Sequence, residues 1–295
     1  MDPTTTPLPP HLRPVLEARS VWISDVHLGT RDARADALLE MLASLKAGTV
    51  YLVGDIIDGW QLRKRWYWPP SHDRVVQRLL HLARHGTRVI LIPGNHDEFL
   101  RPYAGLMFGS VELRRDIVHT TAGGAQLWIT HGDAFDAVLL HAPRLARLGD
   151  TLYMASLRLN RVLNRLRALT GRPYWSLSQY LKGRVKSAVN HISRFETLLA
   201  AEARRHGCTG VVCGHIHRAE LRLFRDEQGT LYANCGDWVE SQTFLTEDEG
   251  GCLHLFAWTE VGARELRRLE ARPGWVPSRT SRPEAVAARE ALDTA

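Results

Sequence analysis

Pro93-Gly94-Asn95-His96-Asp97 directly follows the apolar run Arg88-Val-Ile-Leu-Ile92, so the sequence changes abruptly from core-forming to polar residues. A short apolar run that ends in a glycine turn is typical of a buried β-strand. The amide, imidazole and carboxylate after this run are therefore available for chemistry rather than for packing. This stretch predicts a strand whose carboxyl end carries part of a functional site.

Four other apolar runs end in the same way, with residue types that bind metals. They are Val21–Ile23 before Asp25 and His27, Val50–Val53 before Asp55 and Asp58, Leu127–Ile129 before His131 and Asp133, and Val211–Cys213 before His215 and His217. Alternating strands and helices indicate an α/β layout, in which functional residues gather at the carboxyl edge of a sheet. We therefore expect the five strand ends to form a single site.

The candidate ligands are oxygen and nitrogen donors without a thiolate. They are Asp25, His27, Asp55, Asn95, His131, His215 and His217. This donor set favours Mn²⁺, Fe²⁺ or Zn²⁺ over an iron–sulfur cluster or a cysteine-based structural zinc site. Because residues two apart on an extended strand face the same way, Asp25 with His27, and His215 with His217, can each approach a common centre.

The composition is that of a globular chain with one large core, or with a core and an inserted subdomain. The chain has 295 residues, of which 44% are hydrophobic and 24% are charged. No apolar run reaches the roughly 18 residues of a spanning helix, and the Pro-rich start lacks an apolar signal core. A cytoplasmic location is therefore expected. The four cysteines lack CxxC spacing and are predicted to be buried thiols in a reducing compartment.

The order of elements predicts one α/β domain over residues 19–270. A loose leader is expected at 1–18 and a disordered tail at 271–295. Helices are expected over Ala33–Lys46, with Gly48 as its stop, and over about Asp73–His85. A second sheet is predicted from strands near 210–214, 221–225, 230–235 and 252–258.

A basic pair of amphipathic helices is predicted between His131 and His215, as an αα-hairpin inserted at about 137–206. Apolar residues recur at helical spacing over Leu145–Leu169 and again over Leu177–His206. Residues 137–205 contain 13 Lys or Arg against three Asp or Glu, an excess of +10, so the rest of this +6 chain carries −4. This charge indicates an anionic partner. Solvated helix faces, extra cover for the core and a dimer seam are the alternatives.

The motifs Asp-x-His, Gly-Asp-x-x-Asp, Gly-Asn-His-Asp, His-Gly-Asp and Gly-His-x-His occur in this order and resemble those of the calcineurin-like metallophosphoesterases, over about residues 19–260. The resemblance implies a four-layer αββα sandwich, here with an inserted αα-hairpin, and two divalent ions at one edge. It favours Mn²⁺ over Fe²⁺ or Zn²⁺ as the bound ions. One ion would be held by Asp25, His27, Asp55 and His217. The other would be held by Asp55, Asn95, His131 and His215.

The same resemblance implies catalytic roles for His96 and Asp58. Two adjacent cations clamp phosphate oxygens and lower the pKa of a shared water for attack on phosphorus. His96 would stabilise the pentavalent oxygens or protonate the leaving group. Asp58 would orient His96 by accepting its other N–H, unless Asp58 only caps its own turn. Asp133 and Asp237 are expected to lie behind the ligands.

Within the family the chain is most similar to the bacterial UDP-2,3-diacylglucosamine diphosphatase group. The similarity lies in Ser24–Leu28, in Gly54–Trp60 and in the basic hairpin. It implies a lipid-linked nucleotide substrate, cleaved to UMP and a lipid-sugar monophosphate, and peripheral contact with the inner face of an anionic cytoplasmic membrane. Substrate phosphates or headgroups would be bound by Lys182, Lys186, Asn190 and Arg194. The best-studied branch of that group carries Arg where this chain has His96.

Two other activities stay open at this point. One is a phosphodiesterase that acts on a soluble nucleotide or another phospholipid, and the other is a nuclease. The basic stripe is interleaved with Leu rather than with exposed aromatic residues, which argues against a nuclease and against a nucleic-acid partner. The oligomeric state is open, and a dimer through the helical hairpin is one alternative.

Overall fold

The computed structural model describes residues 16–139, 192–224 and 229–270 of the chain. The predicted tail and most of the predicted leader and αα-hairpin lie outside these ranges. Within them, no helix is both long enough and apolar enough to cross a membrane.

Two β-sheets form the centre of the described chain. The larger sheet contains β1 (Leu16–Ile23), β2 (Leu45–Val53), β3 (Arg88–Ile92), β4 (Met107–Phe108), β5 (Val111–Leu113), β11 (Thr243–Glu247), β12 (Cys252–Thr259) and β13 (Gly262–Glu270). The smaller sheet contains β6 (Ile117–Thr120), β7 (Gln126–Ile129), β8 (Gly210–Cys213), β9 (Glu220–Leu223) and β10 (Leu231–Asn234). Their strand orders are β13-β12-β11-β1-β2-β3-β5-β4 and β6-β7-β8-β10-β9.

The helices connect these strands or cover the sheets. They are α1 (Ala35–Ser44), α2 (Gly59–Lys64), α3 (Pro70–Arg84), a 3-10 helix (Glu98–Tyr103), α4 (Asp133–Leu139) and α5, which is described over residues 192–205. Strands β1, β2 and β3 pair in parallel. Strands β7, β8 and β10 also pair in parallel. The parallel order places the carboxyl ends of the motif-bearing strands at shared edges.

Three apolar clusters give the described chain four layers. Between the sheets, Trp22, Val53 and Ile92 pack with Leu127 and Val212. On the outer face of the larger sheet, α1 and α3 bury Leu38, Leu42, Val75 and Leu79. On the outer face of the smaller sheet, α5 buries Phe195, Leu199 and Ala203. The predicted αββα sandwich is confirmed.

Helix α5 lies within the predicted insertion at 137–206 and favours one of its alternatives, extra cover for the core. Its Phe195 and Leu199 are fully buried against Trp128 and Val211. The apolar stripe of this helix therefore covers the smaller sheet. At least this end of the predicted hairpin is part of the core.

Two other predicted boundaries differ from the structure. Strand β1 begins at Leu16, inside the predicted leader. The first helix ends at Ser44, and Gly48 lies in β2 rather than stopping the helix. The reason is that Leu45 pairs with Leu16, so strand pairing overrides the helical spacing of the apolar residues.

Strand β12 lies where a strand was predicted but belongs to the larger sheet. It pairs with β11 and β13, and β11 pairs with β1. Strands β11 and β13, which the sequence pattern did not predict, carry these connections. The prediction that 252–258 joins the second sheet is therefore wrong.

A buried carboxylate joins the two sheets at Glu247. Its oxygens accept hydrogen bonds from Arg19 Nη1 at 2.8 Å, from His119 Nε2 at 2.8 Å and from the Ala122 amide at 2.7 Å. Arg19 lies on β1, whereas His119 and Ala122 belong to the hairpin of the smaller sheet. Burial raises the pKa of Glu247, but the bonds from His119 and Ala122 outweigh it and lower the pKa.

We expect Glu247→Ala to lower the free energy of unfolding by about 3 kcal/mol, because it leaves buried donors without their acceptor. The pKa of Glu247 is lower in the folded than in the unfolded chain, so its stabilisation is present above about pH 4.5 and is lost as the pH falls through the folded value. Urea unfolding from pH 7 downward measures this. Glu17→Ala, which removes an exposed ion pair with Lys46, is the control and should cost less than about 1 kcal/mol. A similar cost for the two variants would contradict the prediction.

Candidate metal centre

The five predicted strand ends meet at one edge of the sandwich. Backbone hydrogen bonds run from the Asp25 amide to the Gly54 carbonyl at 3.0 Å and from the His27 amide to the Asp55 carbonyl at 2.9 Å. They join the loops that follow β1 and β2. The two sheets are joined here by His131, whose Nδ1 lies 2.9 Å from the Val53 carbonyl.

The backbone at this edge is strained. Among the described residues, six non-glycine residues have a positive φ, and five of them are predicted ligands. These five have φ values between 52° and 72°, and they are Asp25, His27, Asp55, His215 and His217. Left-handed backbone at non-glycine residues is costly and clusters at functional sites.

Three glycines let the ligand side chains pack closely. A Cβ atom at Gly54 would collide with the His131 ring, and one at Gly94 would collide with the Asp55 carboxylate. At Gly214 it would meet the carboxylate of Asp25. Glycine is required at these positions because the ligands occupy the space of a side chain.

The first ligand cluster contains Asp25, His27 and His217. Their ligand atoms lie within 4.8 Å of one another. The Nε2 atom of His217 is 3.2 Å from Asp25 Oδ1 and 3.2 Å from His27 Nε2. Two imidazole nitrogens and a carboxylate that converge in this way are suited to one cation.

The second cluster contains Asp55, His131 and His215, again within 4.8 Å of one another. Because the Val53 carbonyl can only accept, Nδ1 of His131 carries the proton, and Nε2 faces Asp55 Oδ2 at 3.4 Å. Burial lowers the pKa of His131, but Asp55 and Asp25 outweigh this effect and raise it to about 10. Asp55 Oδ2 also lies 4.0 Å from His27 Nε2, so Asp55 lies between the two clusters.

Unpaired atoms at the ligand positions fit a divalent metal pair. The buried atoms Asp25 Oδ1, Asn95 Oδ1 and His131 Nε2 have no hydrogen-bond partner in bonding geometry in the described part of the chain. Buried polar atoms normally have a partner, because an unpaired one costs free energy. Oxygen and nitrogen donors of this kind suit divalent ions.

Asp58 makes the contacts of both roles that the sequence left open. Its Oδ1 accepts the Gln61 amide at 2.8 Å and caps α2. Its Oδ2 lies 3.0 Å from His96 Nδ1 and 3.4 Å from His27 Nδ1. Burial raises the pKa of Asp58, but its contacts with His27 and His96 outweigh this and lower it.

The imidazole of His96 stands at the entrance to the two clusters. Its ring packs against Trp60 with ring centres 4.4 Å apart and against His27 with ring centres 4.7 Å apart. Because Asp58 occupies Nδ1, the other nitrogen is directed to the site and lies 4.0 Å from Asp55 Oδ2. About a quarter of the side chain is exposed, so a substrate can reach it.

Two residues of the site were missed as candidates. Asp97 is fully buried and accepts the amides of Ile56 at 2.8 Å and Gly94 at 2.6 Å, so it joins the loops that follow β2 and β3. Its place in the Gly-Asn-His-Asp motif was an available signal. Asp136 Oδ2 lies 3.0 Å from His215 Nε2. No local pattern marked it, because it reaches the site only through the packing of α4.

The remaining candidates are not members of the two clusters, although the charges of Asp133 and Asp237 raise the pKa of the ligands His131 and His217. Asp133 pairs with Arg101 at 2.6 Å. Asp237 accepts the amides of the turn that follows it, at Val239 and Glu240. Of the four predicted substrate-binding residues, Arg194 lies on α5 and is exposed. The other three, Lys182, Lys186 and Asn190, lie outside the described residues.

The family model for calcineurin-like phosphoesterases matches residues 18–219, which is more than half of the chain. The chain belongs to the calcineurin-like phosphoesterase family. It is a metal-dependent phosphoesterase, and its family uses a pair of divalent ions.

This phosphoesterase is similar to curated UDP-2,3-diacylglucosamine hydrolases. The protein of Aeromonas salmonicida is 25% identical over 242 residues, which cover 78% of this chain and 90% of that protein. The protein of Ralstonia nicotianae is 29% identical over 212 residues, which cover 68% and 77%. Among solved structures, Vacuolar Protein Sorting 29 of Cryptosporidium parvum is 14% identical and covers 85% of this chain and 97% of that one, with a TM-score of 0.41.

Two variants of Asp58 separate its roles in this phosphoesterase. We expect Asp58→Asn to lower kcat about 10- to 100-fold, because the carboxylate that holds His96 is lost. Its thermal stability should stay close to wild type, because asparagine also caps helices. Asp58→Ala should lose the same activity and about 1 kcal/mol of stability as well. Steady-state kinetics and urea unfolding measure the two effects. Full activity in Asp58→Asn would contradict a role in orienting His96 and would show that Asp58 acts only as a helix cap.

Proposed function

We propose that this phosphoesterase hydrolyses the pyrophosphate bond of UDP-2,3-diacylglucosamine or a closely similar lipid-linked nucleotide, and releases UMP and a lipid-sugar monophosphate. The observation that carries the proposal is the pair of ligand clusters that meet at Asp55. A centre for two ions is suited to phosphoryl transfer to water. The names of the curated relatives supply the substrate class.

In this proposal Asp55 would be a ligand of both ions, for which Mn²⁺ is the first choice. The first ion would be held by Asp25, His27, Asp55 and His217. The second would be held by Asp55, Asn95, His131 and His215. When bound, the ions supply positive charge to the phosphoryl oxygens and to the attacking water.

The other groups of the site would orient the substrate and move a proton. Asp58 holds Nδ1 of His96, so Nε2 is free to donate to the leaving oxygen or to a phosphoryl oxygen. Trp60 packs on the imidazole and limits its rotation. Lys182, Lys186, Asn190 and Arg194 remain the proposed contacts for the diphosphate or for anionic headgroups.

We propose in addition that the enzyme works at an anionic membrane surface. The chain that follows the His96 loop exposes large apolar side chains, with Tyr103, Leu106, Met107 and Phe108 each between 48% and 57% exposed. Exposed aromatic and apolar groups of this kind are typical of proteins that insert shallowly at a lipid interface. Flotation with anionic vesicles, and with neutral vesicles as the control, measures this association.

The decisive experiment is UMP release from UDP-2,3-diacylglucosamine in the presence of Mn²⁺. We expect release that stops on chelation and returns when Mn²⁺ is added back. UDP-N-acetylglucosamine, which lacks the long acyl chains, is the matched control and should be a poor substrate. Equal release from both would indicate a soluble nucleotide substrate. Equal rates with and without chelator on a chromogenic phosphodiester would contradict a metal-dependent mechanism.

A further inference from the structure

We propose that the turn between β11 and β12 holds a further divalent-metal site, formed by Asp248, Cys252 and His254. One ligand atom from each residue lies within 4.8 Å of the other two. None of the three belongs to the two clusters at Asp55. The new site also differs in chemistry, because it contains a thiol and the ligand set of the catalytic centre does not.

The backbone of the turn directs the carboxylate. Asp248 Oδ1 accepts the amides of Gly250 and Cys252, each at 2.9 Å. The Asp248 amide donates to the Cys252 carbonyl at 3.0 Å, which closes the turn. Because Oδ1 is used within the turn, Oδ2 faces His254 Nε2 at 3.2 Å. The turn also abuts the neighbouring hairpin, since a Cβ at Gly251 would meet the Gly123 amide.

The imidazole of His254 is held in the orientation of a metal ligand. His254 and Cys252 are two residues apart on β12, so their side chains lie on the same face of the strand. Glu265 Oε1 on β13 lies 2.7 Å from His254 Nδ1. A carboxylate at one ring nitrogen fixes the tautomer and presents the other nitrogen, as in many histidine–metal sites.

The donor set selects a zinc-like ion. A thiolate, an imidazole and a carboxylate suit Zn²⁺, whereas Mg²⁺ and Ca²⁺ prefer oxygen atoms alone. Asp248 and Glu265 add negative charge, and Glu270 pairs with Cys252 across the strands. Arg268 pairs with His254 and partly offsets this charge. Three protein ligands leave one position for water in a tetrahedral site.

The thiol needs the cation in order to ionise. Burial and the neighbouring Asp248 raise the pKa of Cys252, so the free thiol is protonated at neutral pH. Binding of a zinc-like ion at Cys252 forms a metal–sulfur bond and releases the thiol proton to solvent. The alternative is that His254 only bridges Asp248 and Glu265 through hydrogen bonds, without any metal.

Cobalt substitution of the full chain tests the proposal without any assay of activity. The protein is stripped with a chelator and titrated with Co²⁺, which gives a sulfur-to-cobalt charge-transfer absorption in the near ultraviolet only when a thiolate is a ligand. We expect this absorption in the wild type. It should be lost in Cys252→Ser and weakened in His254→Ala.

Two control variants locate the absorption. Asp25→Ala removes a proposed ligand of the catalytic centre and should retain the absorption. Cys208→Ala should also retain the absorption, because Cys208 lies in the apolar cluster with Phe195 and Val211. In chelator, Cys252→Ser should unfold at the same temperature as the wild type, which shows that the variant is folded. With metal added, the wild type should unfold at a higher temperature than the variant. A wild type without this absorption, or an absorption that survives Cys252→Ser, would overturn the proposal. Failure of the UMP assay would not affect either result.

Discussion

Asp55→Asn is expected to lower kcat/KM for a phosphodiester by about 10³-fold, which corresponds to about 4 kcal/mol of transition-state stabilisation. The physical reason is that one carboxylate serves both ligand clusters. Its Oδ2 lies 3.4 Å from His131 Nε2 and 4.0 Å from His27 Nε2, and its Oδ1 accepts the His96 amide at 2.8 Å. Asparagine keeps the shape of the side chain and can still accept the hydrogen bond from the His96 amide. It removes the negative charge that would be shared by two cations.

Two measurements on Asp55→Asn distinguish a metal effect from a folding effect. Metal analysis of the purified protein should show a loss of bound divalent ions, whereas circular dichroism should match the wild type. Asp36→Asn is the matched control, because Asp36 is 77% exposed on α1 and pairs only with Arg74 in the described ion pairs. Wild-type metal content together with wild-type turnover in Asp55→Asn would contradict a shared ligand.

His96→Gln is expected to lower kcat by about 10²- to 10⁴-fold on a phosphodiester with a poor leaving group, while metal content and KM stay close to wild type. His96 is the imidazole at the entrance that Asp58 orients, and Nε2 is free to donate a proton to the leaving oxygen. A good leaving group needs no proton, so the loss should be much smaller with a p-nitrophenyl ester.

The comparison of leaving groups separates the two roles proposed for His96. An equal loss with both substrates would assign His96 to the phosphoryl oxygens rather than to proton transfer. Activity at the wild-type level with both would remove it from catalysis. His81→Gln, an exposed histidine on α3, controls for the loss of an imidazole elsewhere.

Six of the seven predicted ligands lie in the two clusters because their signals are local. Each lies within five residues of the end of an apolar run, and parallel strand pairing brings such ends to a shared edge. The dual role of Asp58 was harder to predict. A cap and a histidine partner have the same sequence signature, and only the directions of the two carboxylate oxygens distinguish them.

The sequence alone determined the residue types at the site, the alternation of strands and helices, and the phosphoesterase motifs, because these depend on short-range periodicity and spacing. The family resemblance implied which ligands share a cluster, and the tertiary structure brings them together, since Asp25 meets His217 and His131 meets Asp55 from distant parts of the chain. Tertiary structure alone decided that β12 joins the larger sheet and that α5 covers the smaller one. These choices depend on which apolar faces bury each other across the sandwich, and no local window of sequence contains both faces.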